Sequence, residues 1–217
     1  MARLDFQFID SPKLSAQANM DSDKSLVDNF DGKPIFRLYS WEENSFSLGR
    51  FQQLKDIKDY ARFGTNYAKR ITGGGLLLHG FDISYSIVLP IDLLKDKSVK
   101  ESYEYICSFI LHFYTKLGLH VQYAKDINQQ LSKSAFCQEG FEAYDMICQG
   151  KKIGGNAQRR TKKLIFQHGS IPLKKDTREF SGHALDEFGI NLNETQAKEL
   201  LKQSFIQSFE ERIFSQS

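Results

Sequence analysis

The chain is organised around the stretch Lys69-Arg70-Ile71-Thr72-Gly73-Gly74-Gly75-Leu76-Leu77-Leu78-His79. In it a cation, a hydroxyl and three glycines are followed by an apolar strand pattern. Three adjacent glycines give a backbone that can turn sharply and approach a ligand closely. The N–H groups of such a loop favour anions, and Arg70 adds a guanidinium suited to phosphate or carboxylate. The glycines taken alone equally fit an ordinary turn between two strands.

The composition is that of an ordinary globular domain. Of the 217 residues, 41% are hydrophobic and 26% are charged, and the net charge is +2 at pH 7. This length predicts a single domain over 1–217 with a substantial core. The small net charge argues against nucleic acid or a membrane surface as a partner.

No segment of the sequence predicts export or membrane insertion. Residues 1–10 lack a basic start followed by a long apolar run, and no window reaches the roughly 18 apolar residues of a membrane span. The three cysteines, Cys107, Cys137 and Cys148, are an odd number without a CxxC pair. This usage predicts reduced thiols in a cytoplasmic protein. We predict no metal site.

Short apolar strands outnumber helices along the chain. Apolar residues recur at helical spacing over 98–117, and Cys107 falls among them as a predicted core residue. Asn193 followed by Gln196 is a capping-box pattern that opens a helix within a helical segment of about 176–217. These patterns predict an α+β fold with a mixed or antiparallel sheet and helices packed on it. Strands are predicted at 4–9, 35–39, 45–49, 66–71, 76–79, 83–89, 119–123, 143–148, 152–158 and 164–173, and further helices at 16–30 and 57–63.

A second informative stretch contains a lysine beside two glycines. It reads Gly150-Lys151-Lys152-Ile153-Gly154-Gly155-Asn156-Ala157-Gln158, and Gln167-His168-Gly169-Ser170 follows it. Lys152 places a mobile cation where the backbone can approach a ligand, and together with Arg70 it could hold an activated carboxyl, as an acyl phosphate or a thioester. A surface lysine is the alternative interpretation.

The two stretches together resemble the lipoate–protein ligase and octanoyltransferase family. The similarity continues upstream through Phe8-Ile9-Asp10, Ala18-Asn19-Met20 and residues 39–52, and it covers nearly the whole chain. The resemblance implies the catalytic domain shared with biotin ligases. That domain attaches a lipoyl or octanoyl group by an amide to one lysine of a lipoyl domain.

The resemblance also implies roles for individual residues. Lys152 would be the family's essential lysine. The residues expected to line the acyl or adenylate pocket are Arg70, Thr72, Gly73, Gly74, Gly75, His79, Gly154, Gly155, Asn156 and Ala157, with His168 and Gly169 close by.

Cys137 indicates which of two chemistries in this family operates. In one octanoyltransferase branch a cysteine lies 13 residues before the glycine of a Gly-Lys/Arg-Lys turn, as Cys137 does before Gly150, and Tyr144 also matches. Such a thiolate takes the acyl group from a carrier-protein thioester and passes it to the target amine, which replaces one difficult step by two easier ones. Lys152 beside the thiol would favour the thiolate and shuttle the proton. The alternative is an incidental loop thiol, whereas Cys148 is predicted to pack in the core.

Several features depart from that branch. The third position of the glycine loop is Gly75, where the branch usually has Arg and ATP-dependent ligases more often have glycine. Phe136 separates Cys137 from the alanine that the cysteine of the branch directly follows, and 138–141 lacks the usual Pro-Ser. The chain ends soon after the helix around 194–214, without the accessory C-terminal domain of many ligases, and we expect this to favour carrier-dependent transfer.

Three functions therefore compete at the level of sequence. The favoured one is octanoyl transfer through acyl-Cys137, without a cofactor, from acyl carrier protein to a lipoyl-domain protein such as a 2-oxoacid dehydrogenase E2 or glycine cleavage H protein. The second is an ATP-dependent lipoate–protein ligase that forms a lipoyl-adenylate and needs ATP and Mg²⁺. The third is a non-catalytic module that binds lipoyl groups or lipoyl domains, and the intact glycine loop and Lys152 argue against it.

Overall fold

Two sheets and three α-helices form the described part of the chain. The computed structural model describes residues 5–127, 129–132, 134–137, 139–178 and 182–214, with side chains up to residue 209. In chain order the elements are β1 (Gln7–Leu14), α1 (Ala16–Asp28), β2 (Ile35–Trp41), β3 (Ser45–Leu48), β4 (Asn66–Lys69), β5 (Leu77–His79), β6 (Asp82–Pro90), α2 (Val99–Lys116), β7 (Val121–Tyr123), β8 (Met146–Cys148), β9 (Lys151–Arg160), β10 (Leu164–Pro172) and α3 (Glu194–Phe214). Short 3₁₀ helices lie at Leu54–Asp56, Tyr60–Phe63, Ile91–Leu94, Ala124–Ile127 and Leu185–Phe188.

The larger sheet has seven strands in the order β1-β2-β6-β10-β9-β8-β7. β1 and β2 are parallel, and the remaining neighbours are antiparallel. The smaller sheet has the order β4-β3-β5, with one parallel and one antiparallel pair. Mixed sheets with flanking helices confirm the predicted α+β class.

One row of paired residues crosses four strands of the larger sheet. Gly155 on β9 pairs with Ser170 on β10, Ser170 pairs with Ser84 on β6, and Ser84 pairs with Tyr39 on β2. Paired residues point to the same face, and neighbouring strands lie about 4.8 Å apart, so the row spans about 14 Å. This row occupies the face of the sheet opposite to α2 and α3.

Helices α2 and α3 cover the other face with the main apolar core. The helical spacing in α2 buries Cys107 completely, as predicted, and Phe205 of α3 stacks on Phe36 of β2 with ring centroids 4.0 Å apart. The predicted capping box at the start of α3 is present, because Asn193 and Gln196 exchange hydrogen bonds between side chain and backbone. Within the described residues, no helix is long and apolar enough to cross a membrane.

The structure corrects several predicted boundaries. The helix predicted over 57–63 is instead one short 3₁₀ helix at Tyr60–Phe63, and another precedes the range at Leu54–Asp56. The strand predicted over 143–148 contains only Met146–Cys148, because the segment before it turns on a hydrogen bond from Asp145 N–H to Glu142 O. The segment 176–217 is not continuously helical, since α3 begins only at Glu194 and residues 179–181 and 215–217 lie outside the described part.

Candidate active site

A cavity of about 390 Å³ is lined by residues of both sheets, the glycine loop and the segment around residue 137. It brings together most of the residues that the two sequence stretches nominated. Thr72 and Gly154 do not line it: Thr72 lies behind His168, and Gly154 borders a separate small cavity. The nominated residues that line the cavity are Cys137, Lys152, Arg70, Gly73, Gly74, Gly75, His79, Gly155, Asn156, Ala157, His168 and Gly169.

Lys152 and Cys137 meet at one end of this cavity. Lys152 is buried, with 5% of its surface exposed, so it is not a surface lysine. Its Nζ donates hydrogen bonds to the carbonyl oxygens of Cys137 at 2.5 Å and Gly140 at 2.8 Å. It also forms an ion pair with Asp145 Oδ2 at 2.6 Å. The lysine on β9 therefore fixes the backbone of the segment that carries the thiol.

Asp145 is a site residue that the sequence patterns did not reveal. Its Oδ2 accepts hydrogen bonds from Lys152 Nζ and from Glu142 N–H, and the side chain is buried. Burial raises the pKa of the Asp145 carboxyl above its usual range, and the Lys152 ammonium opposes this effect. The alternating pattern over 143–148 concealed this residue, because it suggested a simple strand rather than a turn that aims a carboxylate inward.

Gly155, which has no side chain, lies where these groups converge. A Cβ atom added to Gly155 would lie 3.2 Å from Asp145 Oδ1, 3.6 Å from Lys152 Cε and 3.9 Å from Cys137 Sγ. A thiol, a carboxylate and the stem of an ammonium group thus surround one point of the cavity. Because Gly155 has no side chain, an acyl group on Cys137 can lie beside this glycine and close to these groups.

Gly75 packs directly against the segment that carries Cys137. Cys137 N–H donates to Leu76 O, and Leu76 N–H donates to Ala135 O, each at 2.8 Å. A Cβ atom at Gly75 would lie 2.7 Å from both Ala135 O and Cys137 N, which is closer than real side chains come. In this chain the third glycine of the loop is therefore required by the thiol segment.

Arg70 holds the glycine loop from inside the protein. It is 6% exposed, and its guanidinium donates to Ser47 O and Oγ, to Gly73 O and, at 2.6 Å, to Gly75 O. Burial lowers the pKa of Arg70, whereas the charge of a Cys137 thiolate raises it. Arg70 therefore shapes the loop through its hydrogen bonds and attracts the thiolate through its charge.

His79 stands in a buried chain of hydrogen bonds behind Arg70. Ser47 Oγ lies 2.8 Å from His79 Nε2, and His79 Nδ1 lies 2.8 Å from Asp82 Oδ2. Burial lowers the pKa of His79, although Asp82 opposes this, so we assign a neutral ring that accepts from Ser47 and donates to Asp82. Trp41 stacks on the ring with centroids 3.7 Å apart. His79 thereby forms a fixed wall of the cavity.

His168 stands in a second chain of the same kind. Thr72 Oγ1 lies 2.6 Å from His168 Nε2, and His168 Nδ1 lies 3.4 Å from Asp23 Oδ2. Asp23 is in turn paired with Arg37 at 2.7 Å, and both side chains are almost fully buried. Burial lowers the pKa of His168, although Asp23 opposes this, so its ring is also neutral. Thr72 therefore supports the site from behind.

Tyr39 and Trp41 lie at the far end of the cavity from Cys137. Both are on β2 and point to the same side, and Tyr39 ends the row that starts at Gly155. Trp41 Nε1 donates to Ser84 Oγ at 2.9 Å, which fixes the indole. In the sequence these aromatic residues were part of the family resemblance but had no predicted role in the site. Alternation along one strand does not show which residues lie across the sheet.

Comparison with solved structures identifies the general class of the fold. The fold is similar to a solved bipartite lipoate protein ligase from Thermoplasma acidophilum, with a TM-score of 0.76 at 17% identity over 95% of this chain and 84% of that one. It is also similar to biotin protein ligase from Aquifex aeolicus, with a TM-score of 0.52 at 8% identity over 96% of this chain and 70% of that one. At these identities the likeness establishes a lipoate and biotin ligase-like fold.

Sequence comparison narrows the class to one family. The family model described as "Lipoyl protein ligase A/B catalytic domain" matches residues 15–213. Octanoyltransferase LipM from Geobacillus kaustophilus (strain HTA426) is 33% identical over 189 residues, which cover 81% of this chain and 68% of that protein. The chain belongs to the lipoyl protein ligase A/B catalytic domain family and is an enzyme of protein lipoylation, which confirms the resemblance. It spans about two thirds of the length of such curated relatives.

Proposed function

We propose that this chain is an octanoyltransferase that works through an acyl-Cys137 intermediate. The donor is octanoyl acyl carrier protein, and the acceptor is a lysine of a lipoyl-domain protein such as a 2-oxoacid dehydrogenase E2 or glycine cleavage H protein. The observation that carries the proposal is that Cys137 Sγ, Lys152 and Asp145 come together at Gly155 in the wall of the cavity. The similarity to octanoyltransferase LipM supports the same reaction.

The first half-reaction loads the thiol. Cys137 gives up its proton, and its thiolate attacks the carbonyl carbon of the carrier thioester. The bond between that carbon and the carrier sulfur breaks, and the carrier leaves as a thiol after taking a proton. Arg70 attracts the thiolate that starts this step by its charge.

The octanoyl chain lies along the row from Gly155 to Tyr39. An extended chain advances about 1.2 Å per bond, as extended backbone does, so the seven carbon–carbon bonds of octanoyl span about 8 Å. The row spans about 14 Å, of which the thiol end and the rings of the far wall occupy the remainder. Because Tyr39 and Trp41 line the cavity at this end of the row, we expect it to accept a chain of about this length.

The second half-reaction transfers the group to the acceptor. The acceptor amine attacks the carbonyl carbon of octanoyl-Cys137, the new carbon–nitrogen bond forms, and the carbon–sulfur bond breaks. The proton that the attacking amine loses goes to the Cys137 sulfur, so the enzyme leaves this step as a free thiol. Neither half requires ATP, and we place the reaction in the cytoplasm, where the free thiols of the chain stay reduced.

The alternative function is an ATP-dependent lipoate ligase. The two functions differ in the acyl donor that the enzyme uses. Purified protein is incubated with an apo lipoyl domain and either octanoyl acyl carrier protein or lipoate, ATP and Mg²⁺, and the product is weighed by mass spectrometry. We expect octanoylated domain in the first tube. Product in the second tube alone would contradict the proposal, and product in neither would favour a binding module.

The role of the thiol is tested by matched cysteine variants. Cys137→Ala should abolish both transfer and the octanoyl adduct on the enzyme, since no other thiol lines the described part of the cavity. Cys148→Ala is the control, because that thiol is buried on β8 away from the cavity. Full transfer by Cys137→Ala would remove the acyl-cysteine from the mechanism.

A further inference from the structure

Lys152 has no free capacity to accept a proton in the observed arrangement. An ammonium group has three N–H donors and no lone pair. All three donors have acceptors: Asp145 Oδ2 at 2.6 Å, Cys137 O at 2.5 Å and Gly140 O at 2.8 Å. If Lys152 lost its proton to act as a base, it would have to release one of the contacts that hold the thiol segment.

Asp145 carries an oxygen that is placed differently. Its Oδ2 is taken by Lys152 and by Glu142 N–H, whereas within the described residues no hydrogen bond reaches Oδ1. Oδ1 lies 3.2 Å and Cys137 Sγ lies 3.9 Å from the position of a Cβ added to Gly155, so the two atoms are at most 7.1 Å apart, and all three residues line the cavity. An amine that approaches an acyl group on Cys137 therefore meets this carboxylate oxygen.

We propose that Asp145 accepts the proton that the acceptor lysine must lose before it attacks octanoyl-Cys137. The proposal rests on the proposed function. The acceptor ammonium gives one proton to Asp145 Oδ1, and the neutral amine forms the carbon–nitrogen bond. The electrons of the carbon–sulfur bond go to Cys137, which takes the second amine proton and becomes a thiol. Asp145 then returns its proton to solvent, and Lys152 stays charged throughout.

The surroundings of Asp145 suit this task. Burial raises the pKa of its carboxyl, which makes it a stronger base than an exposed aspartate, and the Lys152 ammonium opposes this effect. Among the described residues, the other ionisable groups near it include Cys137, Glu142 and Tyr103. With Asp145 as the base, Lys152 holds the thiol segment in place.

The test compares two nucleophiles on one acyl-enzyme. The full chain and its Asp145→Asn variant are loaded with octanoyl acyl carrier protein, and octanoyl-Cys137 is quantified by intact mass. The loaded enzymes are then mixed with an apo lipoyl domain or with hydroxylamine, which is largely uncharged at neutral pH and needs no prior deprotonation. Asp145→Asn should load within a few-fold of the wild type, lose about 100-fold or more in transfer to lysine, and react with hydroxylamine within a few-fold.

Two further variants make the comparison specific. Asp145→Glu should recover part of the transfer to lysine, because it restores a carboxylate. Glu142→Gln removes a neighbouring carboxylate and should leave the ratio of the two rates unchanged.

The other possible results would contradict either the role of Asp145 or the proposed function. Equal losses with both nucleophiles, or loss of loading together with transfer, would show that Asp145 only supports the shape of the site and would overturn the proposal. Undiminished transfer to lysine by Asp145→Asn would overturn it as well. Failure of the wild type to form octanoyl-Cys137 would instead refute the proposed acyl-cysteine function, and the role of Asp145 would fall with it.

Discussion

Replacement of Trp41 by valine should lengthen the acyl chain that the enzyme prefers. The indole lines the cavity on β2, across the sheet from Gly155, and is 2% exposed, so its replacement by a smaller side chain should open space for a longer acyl chain. Each buried methylene contributes about 0.8 kcal/mol. Two more methylenes, as in decanoyl, should therefore gain up to about 1.6 kcal/mol, or about 15-fold in the ratio of kcat/KM for decanoyl over octanoyl donors.

The assay measures that ratio with octanoyl and decanoyl acyl carrier protein under competition. Loss of a buried tryptophan also destabilises the fold, by about 3 kcal/mol or more. Phe109→Val is therefore the matched control, because Phe109 is fully buried on the other face of the sheet, against Phe36 and Tyr85. An unchanged ratio for Trp41→Val, or an equal shift in the Phe109 variant, would refute the placement of the chain along the row from Gly155 to Tyr39.

Three further predictions concern the frame of the site. Lys152→Ala should abolish transfer, since it removes the ammonium that holds the thiol segment; transfer near the wild-type rate, measured by mass spectrometry, would contradict the site assignment. Gly75→Ala should cost about 1–3 kcal/mol in urea unfolding and slow loading of Cys137, because its methyl group would overlap Ala135 O; an unchanged midpoint and loading rate would argue against the packing. Burial lowers the pKa of His79 and His168. Below about pH 6.5 these two histidines therefore bind protons in the unfolded chain but not in the folded chain. The free energy of unfolding should fall as the pH is lowered. His79→Gln should flatten that dependence in urea titrations at several pH values, and an unaltered slope would contradict a neutral buried ring.

The fold class and many residues of the site could be predicted from the sequence, because both depend on local patterns. Alternation and helical spacing predicted most elements, and the two glycine stretches nominated residues on β9, on β10 and in the loop after β4. The pairing of strands was not predictable in this way. The register that aligns Gly155, Ser170, Ser84 and Tyr39 arises across four strands, and no single segment contains it. The far wall of the cavity could therefore not be derived from the chain alone.

The roles of charged residues were harder still to predict, because a residue type does not show where its hydrogen bonds go. Arg70 suggested an anion site, yet four of its hydrogen bonds go to Ser47 and to the loop carbonyls. Lys152 suggested a mobile cation, yet it is anchored at three oxygens. Both cations are buried, where an unpaired charge is costly, and internal partners are therefore the expected solution.

Gly75 links the backbone of the glycine loop to the segment that carries Cys137. As a sequence feature, a third glycine suggested a loop shaped for ATP. In the structure the missing side chain is filled by the backbone of Ala135 and Cys137, 2.7 Å from where a Cβ would stand. A loop without side chains lets the thiol segment lie against it, and Arg70 fixes the same loop from the other side through Gly75 O. The triple glycine of this chain is thus accounted for by the close packing of the backbone of residues 135–137 against the loop.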